Sequence, residues 1–306
     1  MSLLLPIAAP VLMPLAAARL ARTGAALRGT GAAAVVLCAL SVPFAILFGM
    51  LGGSTGSVLA PAIVLTSAAL PALALLASAR DGRRLDLVSI VAGAVTGTCA
   101  LAVLVGIGLA SGQSAGEVLA RRLDSTLPEL LATYRTSGLN DASASALQGL
   151  FGASTWLVRH QLPGLVLLTS FLYGALVTYP VGRMAGVPQW NVSAVRFPEY
   201  RTPLAAVLIF VPAGLLAAVG PEPVREAAID LLLPLCALFF LRGLAIIRAF
   251  LDRGGIGLIG RALVWALVLQ MPVPVVVALG GLFDEFFGFR ERFLNPAGPD
   301  GRGRST

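Results

Sequence analysis

Apolar residues fill this chain in long blocks separated by short polar stretches, and a membrane-spanning helix needs about 20 mostly apolar residues in a row. Eight blocks approach or exceed that length, at 3 to 20, 31 to 51, 57 to 79, 86 to 111, 163 to 186, 203 to 220, 225 to 250 and 259 to 282. The pattern predicts an all-α, polytopic integral membrane protein of about eight transmembrane helices. They form a single domain over 1–294, followed by a flexible tail at 295–306. In the first block Pro6, Pro10 and Pro14 recur at every fourth residue, so a broken or re-entrant segment stands beside full spanning. That block has no basic residue before it and Arg19, Arg22 and Arg28 behind it, the reverse of a secretory signal. It is expected to stay attached, with the N-terminus outside.

Between the fourth and fifth blocks the pattern changes. Val118, Leu119, Leu123, Leu127, Leu130, Leu131 and Tyr134 fall on one helical side, with Arg121, Arg122, Asp124, Glu129 and Arg135 largely off it. This predicts a short amphipathic helical insertion over 112–162. It comprises two helices broken at "SGLNDAS", the second running through Leu147, Leu150, Phe151 and Leu157 toward Pro163 and Gly164. Helices of this kind lie flat on a bilayer or cap a cavity between spans.

Composition supports the membrane reading: 57% of the 306 residues are hydrophobic and 12% charged, against roughly 25% charged in a soluble domain. The net charge of +7 comes from 22 basic residues that are all Arg. They sit mostly between the apolar blocks, a topology signal and no nucleic-acid surface. The connections after blocks 1, 3, 5 and 7 hold Arg19, Arg22, Arg28, Arg80, Arg83, Arg84, Arg183, Arg196, Arg201, Arg248, Arg253 and Arg261, whereas those after 2 and 6 hold only Arg225. The first set is therefore expected on the cytoplasmic side. The insertion then lies outside, and so does the tail with Arg290, Arg292, Arg302 and Arg304, against the usual preference.

Candidate chemistry is sparse. "GIGLIG" at 255–260 has the letters of a dinucleotide-binding turn but follows a membrane helix where a strand is required. "GQSAG" at 112–116 has no strand to deliver Ser114, and His160, the one histidine, lies far along an interfacial segment. One His with the scattered Cys38, Cys99 and Cys236 gives no expectation of a metal site, and a chain without Lys has no P-loop lysine. No cofactor is expected, and the pattern points away from an enzyme. What remains are polar groups within spans, which are costly in hydrocarbon and face protein or water. Arg242, in "FFLRGLAIIRAF" beside Gly243, is the candidate anion anchor of a small-molecule pocket. Gln270, next to Pro272 and Pro274, and Tyr173, Tyr179 and Arg183 on the fifth block complete it. The alternatives are that Arg242 snorkels to the interface and that Gln270 cross-links helices. A second set of candidates faces partners: Trp190, Arg196 and Arg201 in the proline-broken stretch "GVPQWNVSAVRFPEYRTP", with Asp284 and Arg290 in the C-terminal collar. In that collar Phe283, Phe286, Phe287, Phe289 and Phe293 mix with Asp284, Glu285, Arg290, Glu291 and Arg292.

The ending "GGLFDEFFGFR", the "LRGLAIIRAFLDR" helix, the "FPEYRTP" approach to the sixth block and the helical insertion together give the chain a family resemblance. It resembles the YybS-like family of uncharacterised bacterial membrane proteins (DUF2232), with Gly281, Leu282, Asp284, Phe289 and Arg290 as matching positions. Two residues depart from the pattern: Gly288 stands where a polar or acidic residue is expected, and Arg242 where a glutamine is expected. If the family uses a neutral residue there, Arg242 is no shared anion ligand. The family is distantly similar to the substrate-binding membrane subunits of energy-coupling factor transporters. This implies a multi-pass protein of the bacterial cytoplasmic membrane, in contact with the lipid bilayer and partnered by a transmembrane coupling subunit and ATPases. A non-catalytic scaffold that recruits partner proteins is the alternative.

Overall fold

The computed structural model describes residues 85–136, 141–185, 197, 200–270 and 272–289. Among these it is built from helices alone: α1 (Leu85–Ser111), α2 (Ala115–Thr136), α3 (Asp141–Ala185), α4 (Leu204–Val219), α5 (Glu222–Arg253), α6 (Leu258–Val268) and α7 (Val273–Phe287). The apolar blocks expected at 3 to 20, 31 to 51 and 57 to 79 lie outside the described residues, as does the tail at 295–306. Among the described residues two helices, α1 and α5, are long and apolar enough to cross a membrane, and the bent pair α6 and α7 makes a third candidate.

The second amphipathic helix of the insertion and the fifth apolar block follow one another in α3 across a kink, two residues before Pro163 and so close to the expected junction. Gln161 alone departs from helical geometry inside α3, at φ −127° and ψ 24°. Pro163 then falls at the start of the continuing segment, where its missing N–H and fixed φ are tolerated. The last apolar block breaks into α6 and α7, which meet at 97°. Pro272 and Pro274 cannot donate to the turn before them, so the chain closes instead through Val273 N–H to the Gln270 carbonyl and Val275 N–H to that of Pro272.

In lipid the hydrophobic effect does not draw one apolar helix onto another, and close packing at small residues takes its place. The bundle follows this rule. Gly93 and Gly174 let α1 and α3 approach until Gly93 meets the Phe171 backbone and Gly174 meets that of Ser89 and Gly93. Gly164 of α3 lies on the Asp230 backbone of α5, and further along Ala175 shares a buried cluster with Leu241 and Ala245, so α3 and α5 run in the same direction. The α4–α5 hairpin closes through Ala206, Val207, Leu235, Leu238 and Phe239, with Phe210 edge-on to Phe239 at 5.2 Å. Helix α5 is the hub, touching α3, α4 and α7. Apolar faces point outward on α4 (Leu208, Val211, Leu215) and α6 (Leu258, Ile259, Leu263), as a lipid-facing surface requires.

Helix α7 ends at Gly288, whose left-handed backbone (φ 58°, ψ 35°) lets its N–H reach the Asp284 carbonyl. The conformation gives a physical reason for glycine at this position. Gly288→Ala is expected to lose about 1 kcal/mol, the left-handed penalty of a Cβ, measured by denaturant unfolding in mixed micelles.

Candidate functional site: a buried polar layer

The site is built on the crossing of α5 and α7, which run antiparallel. Gly243 lies against the Val277 carbonyl and Gly281 against the Phe239 carbonyl and the Gly243 nitrogen. The two backbones therefore touch without intervening side chains. Arg242 follows Leu241 into this crossing and is 7% exposed. Its stem leans toward the N-terminus of α5, as helical side chains do, and hence toward the C-terminal end of α7. Asp284, one turn beyond Gly281 on the same face, is there to meet it. The guanidinium Nε and Nη2 lie 3.0 and 2.9 Å from Asp284 Oδ2, and Nη1 is paired with Glu285. Asp284 is 1% exposed, so one buried cation is held by one fully buried and one partly buried carboxylate.

Tyr200 extends the layer toward α1 and α3. It precedes α4, is 1% exposed, and packs among Ala175, Leu241 and Ala245, with the rings of Tyr179 and Phe197 at 6.3 and 6.4 Å. Burial pushes its phenol well above the ordinary tyrosine range; the Asp86 charge adds to that shift and Arg242 opposes it. Tyr200 thus stays protonated and feels charges from both sides. Asp86, in the first turn of α1, accepts the Arg201 N–H at 3.3 Å and is itself buried. Thr178 and Thr202, also buried, bring hydroxyls to the same end of the bundle.

A second polar group joins the insertion to the bundle. Arg159 bridges Glu117 at 3.1 Å and Asp124 at 3.6 Å, tying α2 to α3. His160 Nδ1 is 3.2 Å from Glu226 Oε1, and the Gly164 N–H donates to Asp230 Oδ1 at 2.9 Å, tying α3 to α5 on either side of Gln161.

Residues 1–285 match the family described as predicted membrane protein, DUF2232. The chain belongs to the DUF2232 family of membrane proteins. The match ends at Glu285, so it takes in both helices of the polar crossing. No curated protein and no solved structure matches the chain.

In this DUF2232 protein the proposed pocket residues do not all converge. Arg242 is buried and already paired with carboxylates. Gln270 is exposed and precedes the first turn of α7, whereas Arg242 meets the last turn of the same helix. Tyr179 reaches the layer through Tyr200, and Tyr173 is half-buried on α3. Arg183 belongs to the last turn of α3. Of the partner-facing set, Arg201 is exposed at the head of α4 and Asp284 is interior; Trp190, Arg196 and Arg290 lie outside the described residues. Sequence reasoning passed over Asp86 and did not bring Tyr200 or Glu285, which it placed at the interface and in the collar, to the site. The available signal was charge: an intramembrane Arg requires an acidic partner, and the pair nearest the last apolar block is Asp284 and Glu285.

Proposed function

We propose that this membrane protein is a small-molecule binding or transport subunit, whose ligand contacts the polar layer between Tyr179, Tyr200 and the Arg242–Asp284–Glu285 group. The observation that carries the reading is the layer itself. Charged and hydroxyl-bearing side chains from α1, α3, α5, α7 and the approach to α4 meet inside an apolar bundle, where such groups are costly and are usually tied to a ligand or transport path. With Arg242 already covered by two carboxylates, the layer favours a neutral or cationic ligand over an anion. The eight-span topology in the bacterial cytoplasmic membrane belongs to the same proposal, as does the distant likeness to energy-coupling factor substrate-binding components. A chain with no Lys has no P-loop lysine, so energy would come from a coupling subunit and ATPases.

The second reading is a non-catalytic scaffold. It is favoured by the exposed Arg201 and by Phe283, Phe286 and Phe287, which present rings at the end of α7. Native mass spectrometry of the protein released gently from its own membrane separates the two. A retained small molecule, alone or with ATPase-sized subunits, is the expected result, and the bound mass should fall away in Tyr179→Leu. Protein partners without a small molecule would replace the transport reading by the scaffold.

A further inference from the structure

The His160–Glu226 contact occupies a particular place. Charge links within the insertion, from Arg159 to Glu117 and Asp124, hold α2 to the first half of α3. The links from α3 to α5 are of another kind. On the bundle side of the helix break at Gln161, the Gly164 N–H binds Asp230. On the insertion side the charged contact described is His160 to Glu226, at 3.2 Å, with both side chains about two-fifths exposed to solvent. His160 is the single histidine of the chain, and imidazole is the side chain whose charge changes between about pH 5 and 8.

We propose that His160 and Glu226 form a pH-sensitive latch that sets the angle of the α2–α3 insertion about the break at Gln161. With His160 protonated, the imidazolium pairs with Glu226, and the Trp156 ring, centred 5.2 Å from the imidazole ring, adds a second favourable contact. Deprotonation removes the charge from the pair. The neutral pair keeps at most an uncharged hydrogen bond, and among the described polar contacts the stronger link to α5 is then the Gly164 N–H to Asp230 on the far side of the break, while Arg159 keeps α2 and α3 together as one unit. The unit pivots and does not come apart. Helix α5 faces the imidazole with Glu226, with Glu222 and Asp230 one turn to either side and Arg225 next in the chain; α2 supplies Glu117 and Asp124, both engaged by Arg159 of α3, and Arg121, which also pairs with Glu117. The imidazolium is the form that pairs with the Glu226 carboxylate, so the latch closes as pH falls through the ordinary histidine range and opens as it rises. The inference does not depend on the protein carrying a substrate.

Spin labels on Leu150→Cys in α3 and Val224→Cys in α5 read the latch directly. They are placed in the full chain with its three native cysteines replaced and in lipid nanodiscs, using electron–electron double resonance. A half-exposed pair shifts a two-state population by about two- to fivefold. The wild-type chain should therefore gain a second distance population by that factor between about pH 5.5 and 8.5, the span of histidine titration. His160→Gln and Glu226→Gln should each hold the high-pH distribution at both pH values. An identical wild-type distribution at the two pH values overturns the latch, and so does a pH response that survives in either variant.

Discussion

Arg242→Leu should be the most damaging single substitution at the site, lowering stability by about 3–5 kcal/mol. The loss does not measure the worth of an ion pair. Burying a guanidinium and two carboxylates costs several kcal/mol per ion, and their mutual attraction roughly offsets this. Removing the cation leaves Asp284, 1% exposed, and Glu285 with like charges side by side and no counter-charge from Arg242. The substitution therefore exposes the full desolvation cost. Adding Asp284→Leu to Arg242→Leu should return at least half of the lost stability, because the two sites interact and are not additive. Reversible unfolding in mixed detergent–lipid micelles measures all three variants. If Arg242→Leu alone stayed within about 1 kcal/mol of wild type, the value of an exposed pair, the guanidinium would be solvated and the buried layer would not exist as described.

The Arg242 pair also marks how far sequence reasoning reaches. The lengths of apolar blocks were legible: the block read at 86 to 111 is α1 at Leu85–Ser111, and that at 225 to 250 lies inside α5 at Glu222–Arg253. Run length measures hydrocarbon thickness, which is a property of the solvent. Direction is a property of the backbone and was less legible. Pro272 and Pro274 were visible as loosening residues, yet whether two missing donors bend a helix slightly or turn it by 97° depends on what it packs against. In α3 Pro163 and Gly164 were legible as a junction, and the kink falls at Gln161; what no local pattern contains is the contact of Gly164 with the Asp230 backbone.

For the site, the intramembrane charge of Arg242 was plain and its partner was misfiled. Asp284 and Glu285 were read as part of an aromatic and charged collar because Phe283, Phe286 and Phe287 surround them. In the structure these rings point outward and are 49%, 61% and 52% exposed, while Asp284 turns inward on the same face as Gly281 and Val277. A helical reading of 277, 281 and 284 as one face would have found it. Asp86 and Tyr200 are another matter. They lie 114 residues apart in the chain and meet only because α1, α3 and the approach to α4 pack at one level.

Gly281→Ala and Gly280→Ala should have opposite signs, although they are neighbours in the same helix and make the same chemical change. At Gly280 an added methyl group meets nothing within 4 Å. The substitution there is governed by helix propensity, which favours alanine over glycine by up to about 1 kcal/mol. At Gly281 the Cβ would collide with the Phe239 carbonyl and the Gly243 nitrogen, both backbone atoms that cannot rotate aside. Helices α5 and α7 must then separate, which costs about 1–3 kcal/mol by the usual scale of overpacking. Gly243→Ala meets the Val277 carbonyl from the other side and should behave like Gly281→Ala. The double variant should lose less than the sum, because one separation relieves both collisions. Separation also draws Asp284 away from Arg242, so part of the loss is electrostatic and should shrink when measured in the background lacking both of those charges. Unfolding in mixed micelles provides the comparison. Equal effects at Gly280 and Gly281 would mean that the two backbones do not touch, and the close crossing that places the ion pair would have to be abandoned.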